Sequence, residues 1–178
     1  MSKIHSALAL VLSVVLAQSA GLIGSLATRP QIEPWYRTLE KPAFTPPDWA
    51  FPVVWPTLFL LMAIAAWLVY RQQGPQGASF WSGGASYEGM FLRRSPSRAL
   101  ALGIYVAQLV LNTLWSFLFF AMEHPGLALF EIVLLLVFIV FTTLLFYKIR
   151  PLAGYLMIPY VVWVSYATVL NAAIWWLN

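Results

Sequence analysis

Five stretches of this chain are each long and apolar enough to cross a lipid bilayer as a helix, and this limits the fold more than any other feature. They fall at about 6–27, 49–70, 99–121, 126–148 and 152–176, and each meets the roughly 20 apolar residues needed to span about 30 Å of hydrocarbon. The runs are continuous rather than alternating, which predicts helices and not barrel strands. Composition agrees: 61% of residues are hydrophobic and 9% charged, against about 45–50% and about 25% in soluble domains. A soluble fold of 178 residues would have nowhere to hide that much apolar surface. The expected fold class is therefore an all-α membrane protein, a five-transmembrane-helix bundle forming one domain over 1–178, with the lipid bilayer as its first partner.

The first run has a second reading. Lys3, the apolar stretch 7–17 and the small residues Ala17, Ser19 and Ala20 resemble a cleavable signal peptide. Apolar residues nevertheless continue past Gly24 as far as Arg29, a length that suits a span better. Basic residues set the orientation. Lys3, Arg71, Arg93, Arg94, Arg98, Lys148 and Arg150 fall on one side, and Arg29, Arg37 and Lys41 on the other. That asymmetry predicts the N-terminus inside and the C-terminus outside. The formal charge of +4 is thus explained by membrane orientation, and nucleic acid is not an expected partner. Cysteine is absent and only His5 and His124 are present, so thiolate chemistry is excluded and no metal or cofactor site is expected.

Two connections differ in character. The long one, 71–98, contains Gly74, Pro75, Gly77, Gly83 and Gly84 and reads as a mobile linker. Phe80, Trp81, Tyr87 and Phe91 offer an alternative, a segment anchored at the interface. The other, between the first two spans, carries Pro34, Pro42, Pro46 and Pro47 together with Trp35, Tyr36, Phe44 and Trp49. Four prolines prevent continuous helix, and the aromatics make water a poor solvent. Such a loop is predicted to fold down on the bundle as a structured aromatic and proline-rich cap, with proline lowering the entropy cost of ordering it.

Periodicity places further residues on common faces. Gln108, Asn112, Trp115 and Phe119 lie on one face of the third helix. Phe51, Trp55, Phe59 and Met62 do so on the second, and Trp163, Tyr166, Ala167, Leu170 and Asn171 on the fifth. Buried amides in a membrane face protein or a cavity. For Gln108 and Asn112 the bland reading is interhelical hydrogen-bonding, worth about 0.6 kcal/mol. For the aromatic stripes it is a packed core. The alternative is a pocket for a flat π ligand, held by stacking with a few polar atoms for orientation. Ala99, Gly103 and Ala107 place a small residue every four positions on the third helix, which permits close backbone approach, either within the chain or at a homodimer seam. Ala17, Gly21 and Ser25 form a similar row on the first helix, read as intrachain packing or pocket floor. Glu131 is the one acid inside a span and is expected to snorkel or hydrogen-bond near the interface. Trp175 and Trp176 read as interfacial anchors.

One pattern is specific. Trp35, Tyr36, Leu39, Lys41, Pro42, Phe44, Pro46 and Pro47, followed by Phe51, Trp55, Leu58 and Phe59, form W-Y-x-x-L-x-K-P-x-F-x-P-P and F-x-x-x-W-x-x-L-F. With Gln108–Trp115 and Phe119-Phe120 on the third helix, and Pro159–Trp163 and Ala167–Asn171 on the fifth, this resembles the translocator-protein, or tryptophan-rich sensory protein, family. The likeness runs from about 21 to 171, interrupted by the long connection, and favours an uncleaved first helix. It implies a homodimeric five-helix bundle with a ligand cavity under the first loop. The ligands it implies are porphyrins and haem-type tetrapyrroles, with sterols and isoquinoline carboxamides. It further implies ligand contacts at Tyr36, Trp55, Asn112 and Trp163 and a dimer seam at Ala99, Gly103 and Ala107; the shared helical faces add Phe59, Gln108, Trp115, Tyr166, Ala167 and Leu170 as candidate contacts, with interhelical hydrogen-bonding an equal alternative for Gln108. Ala172 and Ala173 stand where the family's sterol motif carries tyrosine, and no basic residue follows, which argues against a sterol partner. Leu145–Arg150 fits only the loose sterol pattern. The expected function is a membrane sensor or carrier of tetrapyrroles. The alternatives are light-driven porphyrin breakdown through Trp55 and Trp163, or a scaffold for partner proteins. No nucleophile–base pair or nucleotide-binding loop supports other enzymatic chemistry.

Overall fold

Proline and small polar residues mark where the helices begin. The computed structural model describes residues 3–72 and 97–178, in which five long helices are α1 (Lys3–Thr28), α2 (Ala50–Arg71), α3 (Arg98–Ser116), α4 (Pro125–Ile149) and α5 (Pro151–Leu177). Pro125 and Pro151 start α4 and α5, where a missing N–H costs nothing. Arg150, just before Pro151, is extended at φ −151° and ψ 110°, as the residue before proline must be to break one helix and start the next. The Ser97 side chain caps α3 by accepting the Leu100 N–H at 3.1 Å. Each expected span is observed to within a few residues.

All five helices are long and apolar enough to cross a membrane. Large apolar side chains such as Leu12, Val53, Val110, Phe130 and Val162 stand exposed around the outside. That arrangement suits lipid as solvent and water poorly. The helices close into a ring in the order α1, α2, α5, α4, α3. Met62, Ala63, Tyr105, Ile139, Phe146, Met157 and Tyr160 fill its centre. Gly154 lets α5 approach α4: a Cβ there would lie 2.7 Å from the Tyr147 Cα. Helix α1 packs on α2 and α3 and is an integral wall, which supports the span reading of the first run.

The ends of α1 and α3 depart from expectation. Beyond Thr28 the chain keeps winding, first as a 3₁₀ turn (Arg29–Gln31) and then as a wide π turn (Ile32–Tyr36). Trp35 and Tyr36 therefore sit on a helical extension and not in the loop proper. The prolines permit this because Pro30 stands at the first positions of the 3₁₀ turn. Phe117–Ala121 likewise forms a π turn that prolongs α3.

The loop is strapped down at several points. The Tyr166 hydroxyl donates to the Phe44 carbonyl, and the two rings meet edge-on at 6.3 Å. Asn178 accepts the Glu40 N–H and donates to the Glu40 carbonyl, both at 3.0 Å. Lys41 Nζ lies 4.6 Å over the Tyr36 ring. Trp35 and Tyr36 pack edge-on or tilted against Phe119 and Phe120. The expected cap is thus present. The linker and anchor readings of the long connection, including Phe80, Trp81, Tyr87 and Phe91, lie outside the described residues.

Candidate functional site

Beneath the strapped loop lies a cavity of about 590 Å³, walled by α1, α2, the α3 end and α5. No residue of α4 contributes to the wall. The size falls in the range of small-molecule sites, about 300–1,000 Å³. Its walls are the apolar stripes read from periodicity: Phe51, Trp55 and Phe59 from α2, Asn112, Trp115 and Phe119 from α3 and its extension, and Trp163, Tyr166, Ala167, Leu170 and Asn171 from α5. Tyr36 closes it from above.

The rings form a connected lattice. Trp55 and Trp163 meet perpendicularly with centroids 6.4 Å apart, and Phe51 meets Trp163 edge-on at 6.2 Å. Trp115 stacks on Phe119 at 5.1 Å. Offset and edge-on contacts are the favourable geometries for aromatic pairs. Gly21 makes room for this floor: a Cβ on it would lie 2.5 Å from the Phe59 ring. Gly21 and Ser25 line the cavity, as the pocket-floor reading of their row expects, whereas Ala17 is buried in the core.

Polar atoms are few and mostly committed. Asn112 Nδ2 donates to the Tyr160 hydroxyl at 2.9 Å. Trp115 Nε1 donates to Asn171 Oδ1 at 3.0 Å, and Asn171 Nδ2 donates to the Pro125 carbonyl at 2.8 Å. Asn171 thereby ties α3, α5 and the start of α4 together. Gln18 Nε2 donates to the carbonyl of Pro56, inside α2. Among the described residues the Trp163 Nε1–H is buried with no acceptor, and a buried donor left unpaired costs about 1–3 kcal/mol.

Nine of the ten expected contact residues line the cavity: Tyr36, Trp55, Phe59, Asn112, Trp115, Trp163, Tyr166, Ala167 and Leu170. Gln108 does not. It is fully buried below the floor, where its Nε2 reaches the Met62 Sδ at 3.7 Å. The stripes of α2 and α3 run on past the cavity and close on each other at Met62 and Gln108, whose Oε1 has no hydrogen-bond partner among the described residues. Ala99 and Gly103 are exposed and Ala107 half-buried, and a Cβ on Gly103 would meet nothing within 4 Å. Among the described residues, the small-residue row therefore packs on nothing at Gly103. Glu131 does not snorkel: it is 5% exposed, and among the described residues both carboxylate oxygens are buried without a hydrogen-bond partner. Trp176 stands outside at 86% exposed, while Trp175 lies across Gly126, whose Cβ would come within 2.7 Å of its Nε1. Sequence reasoning missed Gln18, Gly24, Thr28, Arg29, Arg37, Asp48 and Phe120, all in the wall. For Phe120 the doubled Phe119-Phe120 was a usable signal. For the charged residues at helix and loop ends there was none, because nothing local distinguishes them from interfacial charges.

Comparison with known proteins agrees with this architecture. The family model described as the TspO/MBR family matches residues 13–177. The chain is 37% identical over 171 residues to the tryptophan-rich protein TspO of Chlorobaculum tepidum, covering 96% of each. It is 33% identical over 144 residues to protein CrtK of Rhodobacter capsulatus, covering 81% of this chain and 78% of that one. It is 32% identical over 161 residues to the human translocator protein, covering 90% and 85%. A five-helix, multi-pass membrane protein matched almost end to end in this way belongs to the TspO/MBR family.

Proposed function

We propose that this protein binds porphyrins and related flat tetrapyrroles in the cavity under the first loop, as a sensor or carrier in tetrapyrrole regulation. The observation that carries this reading is the aromatic enclosure itself, Trp55, Trp115 and Trp163 around about 590 Å³. A wide, shallow π system gains dispersion from such walls with little need for polar contacts. The names of two relatives, a tryptophan-rich sensory protein from Cereibacter sphaeroides and the human translocator protein, are compatible with sensing or carriage. Tryptophan-fluorescence quenching of purified protein by protoporphyrin IX in the dark tests it, with Trp163→Phe beside the wild type. Saturable quenching that weakens in the variant is the expected result. Quenching that never saturates and is equal in both proteins would mean partitioning into detergent, and the reading would fall.

The pair Trp55 and Trp163 favours one alternative, light-driven breakdown of bound porphyrin by dioxygen, because two indoles stand side by side in the wall. Loss of the porphyrin absorption band under illumination, abolished in Trp163→Phe, would distinguish it from dark binding. We assign the open Gly103 face to a homodimer seam and the more basic side to the inside of the membrane. Both follow from physical rules for small-residue packing and positive charge.

A further inference from the structure

The cavity wall is charged at one end only. Its charged residues, Arg29, Arg37 and Asp48, all come from the segment that leaves α1 and the loop that enters α2. The opposite end carries no charge: Gly21 and Phe59 are apolar, and the neutral amides of Gln18 and Asn112 donate to the Pro56 carbonyl and the Tyr160 hydroxyl. Eight residues of helical backbone separate Gly21 from Arg29, a rise of about 12 Å. The cavity is therefore amphipathic along its length, with a floor that suits a ring system and a rim that suits charge.

The two rim cations differ. Arg37 is held by Glu33 at 3.1 Å, one turn away on the same extension. Arg29 has neither an ion pair nor a side-chain hydrogen bond among the described residues, although it shares the wall with Asp48. A guanidinium presents a rigid fork of donors that matches a carboxylate with two parallel hydrogen bonds. A free guanidinium at the mouth asks for an acceptor on the ligand.

We infer that Arg29 is an anion-recognition point at the cavity mouth, selecting flat ligands with an ionised carboxylate edge and turning that edge outward. This rests on the ligand reading above and names the chemical class it takes: an aromatic macrocycle or similar plate, apolar on one side and acidic on the other. Asp48, in the same wall, limits the preference, since its negative charge opposes entry of an anion.

The test compares protoporphyrin IX, a dicarboxylic acid, with its dimethyl ester, which has the same ring and no charge. Both are titrated in the dark against protein in zwitterionic nanodiscs. Wild type is expected to bind the diacid roughly three- to tenfold more tightly than the diester, in keeping with a charged hydrogen bond at an exposed rim. Arg29→Gln should lower diacid affinity to that of the diester and leave the diester unchanged. Asp48→Asn should widen the preference, and added salt should narrow it. A wild type that binds both ligands saturably without preference overturns the inference alone. So does an Arg29→Gln variant weakened equally for both ligands, which would mark Arg29 as a packing residue. Failure of both ligands to saturate would overturn this inference together with the proposed function.

Discussion

Replacing Asn178 by alanine should loosen the loop over the cavity without touching the cavity. Asn178 follows α5 and lies outside the wall, yet its amide makes a two-point clasp on Glu40, accepting the N–H and donating to the carbonyl, both at 3.0 Å. It also donates to the Ile174 carbonyl at 2.9 Å, which orients the amide for the clasp. Two neutral hydrogen bonds at an exposed site are worth about 1–2 kcal/mol together, since each contributes about 0.5–1.5 kcal/mol. The loop retains its other straps, from Tyr166 to Phe44 and from Trp35 and Tyr36 to Phe119 and Phe120. It should therefore open more often and not come away. A shift of that size makes opening about five- to thirtyfold more frequent. Hydrogen exchange followed by mass spectrometry reads this directly and needs no ligand. Peptides covering 38–49 should exchange faster by that factor in Asn178→Ala, while peptides from the middle of α5 stay unchanged. Loop exchange equal to wild type would refute the clasp. Acceleration throughout α5 would mean that the substitution frays the helix and not the loop.

Four further outcomes follow from single contacts. Gly21→Val should drive Phe59 into the cavity, because even a Cβ would lie 2.5 Å from its ring; saturable porphyrin quenching should be lost and thermal stability should fall by about 1–3 kcal/mol. Trp115→Phe removes the 3.0 Å bond to Asn171 and should cost about 1 kcal/mol in a thermal-shift assay, with the helix content unchanged. Glu131→Leu replaces a buried carboxyl whose oxygens have no partner, and should leave melting temperature level or raise it. Gly103→Phe has open space around its new side chain within one chain and should not destabilise it, but should convert a dimer to a monomer by light scattering in detergent.

Helix number and extent were legible because length and hydropathy decide them almost alone in a bilayer. The faces were legible too: a period of 3.6 brought Trp55, Trp115 and Trp163 into one wall. Periodicity says nothing of depth, however. Gln108 shares its face with Asn112 but lies below the floor against Met62. Nor does it show how a proline-rich stretch winds. Pro34 reads as a helix breaker, yet a π turn accommodates it and places Trp35 and Tyr36 over the cavity. Glu131 was read as an acid that would find water or a partner, but the packing of α4 gives it neither. Arg29 gained meaning only when the wall was assembled, since its role depends on residues of α2 and α5 that meet it across the bundle.

The chain has no cysteine, so one introduced thiol can report on the cavity alone. The most direct test of the account is the rate at which Ala167→Cys, in the wall, is alkylated by a maleimide with and without protoporphyrin IX in the dark. The account predicts protection that saturates with ligand concentration, while Gln72→Cys, exposed just past the end of α2 and outside the wall, reacts at the same rate throughout. Equal alkylation of Ala167→Cys with and without saturating porphyrin would contradict it.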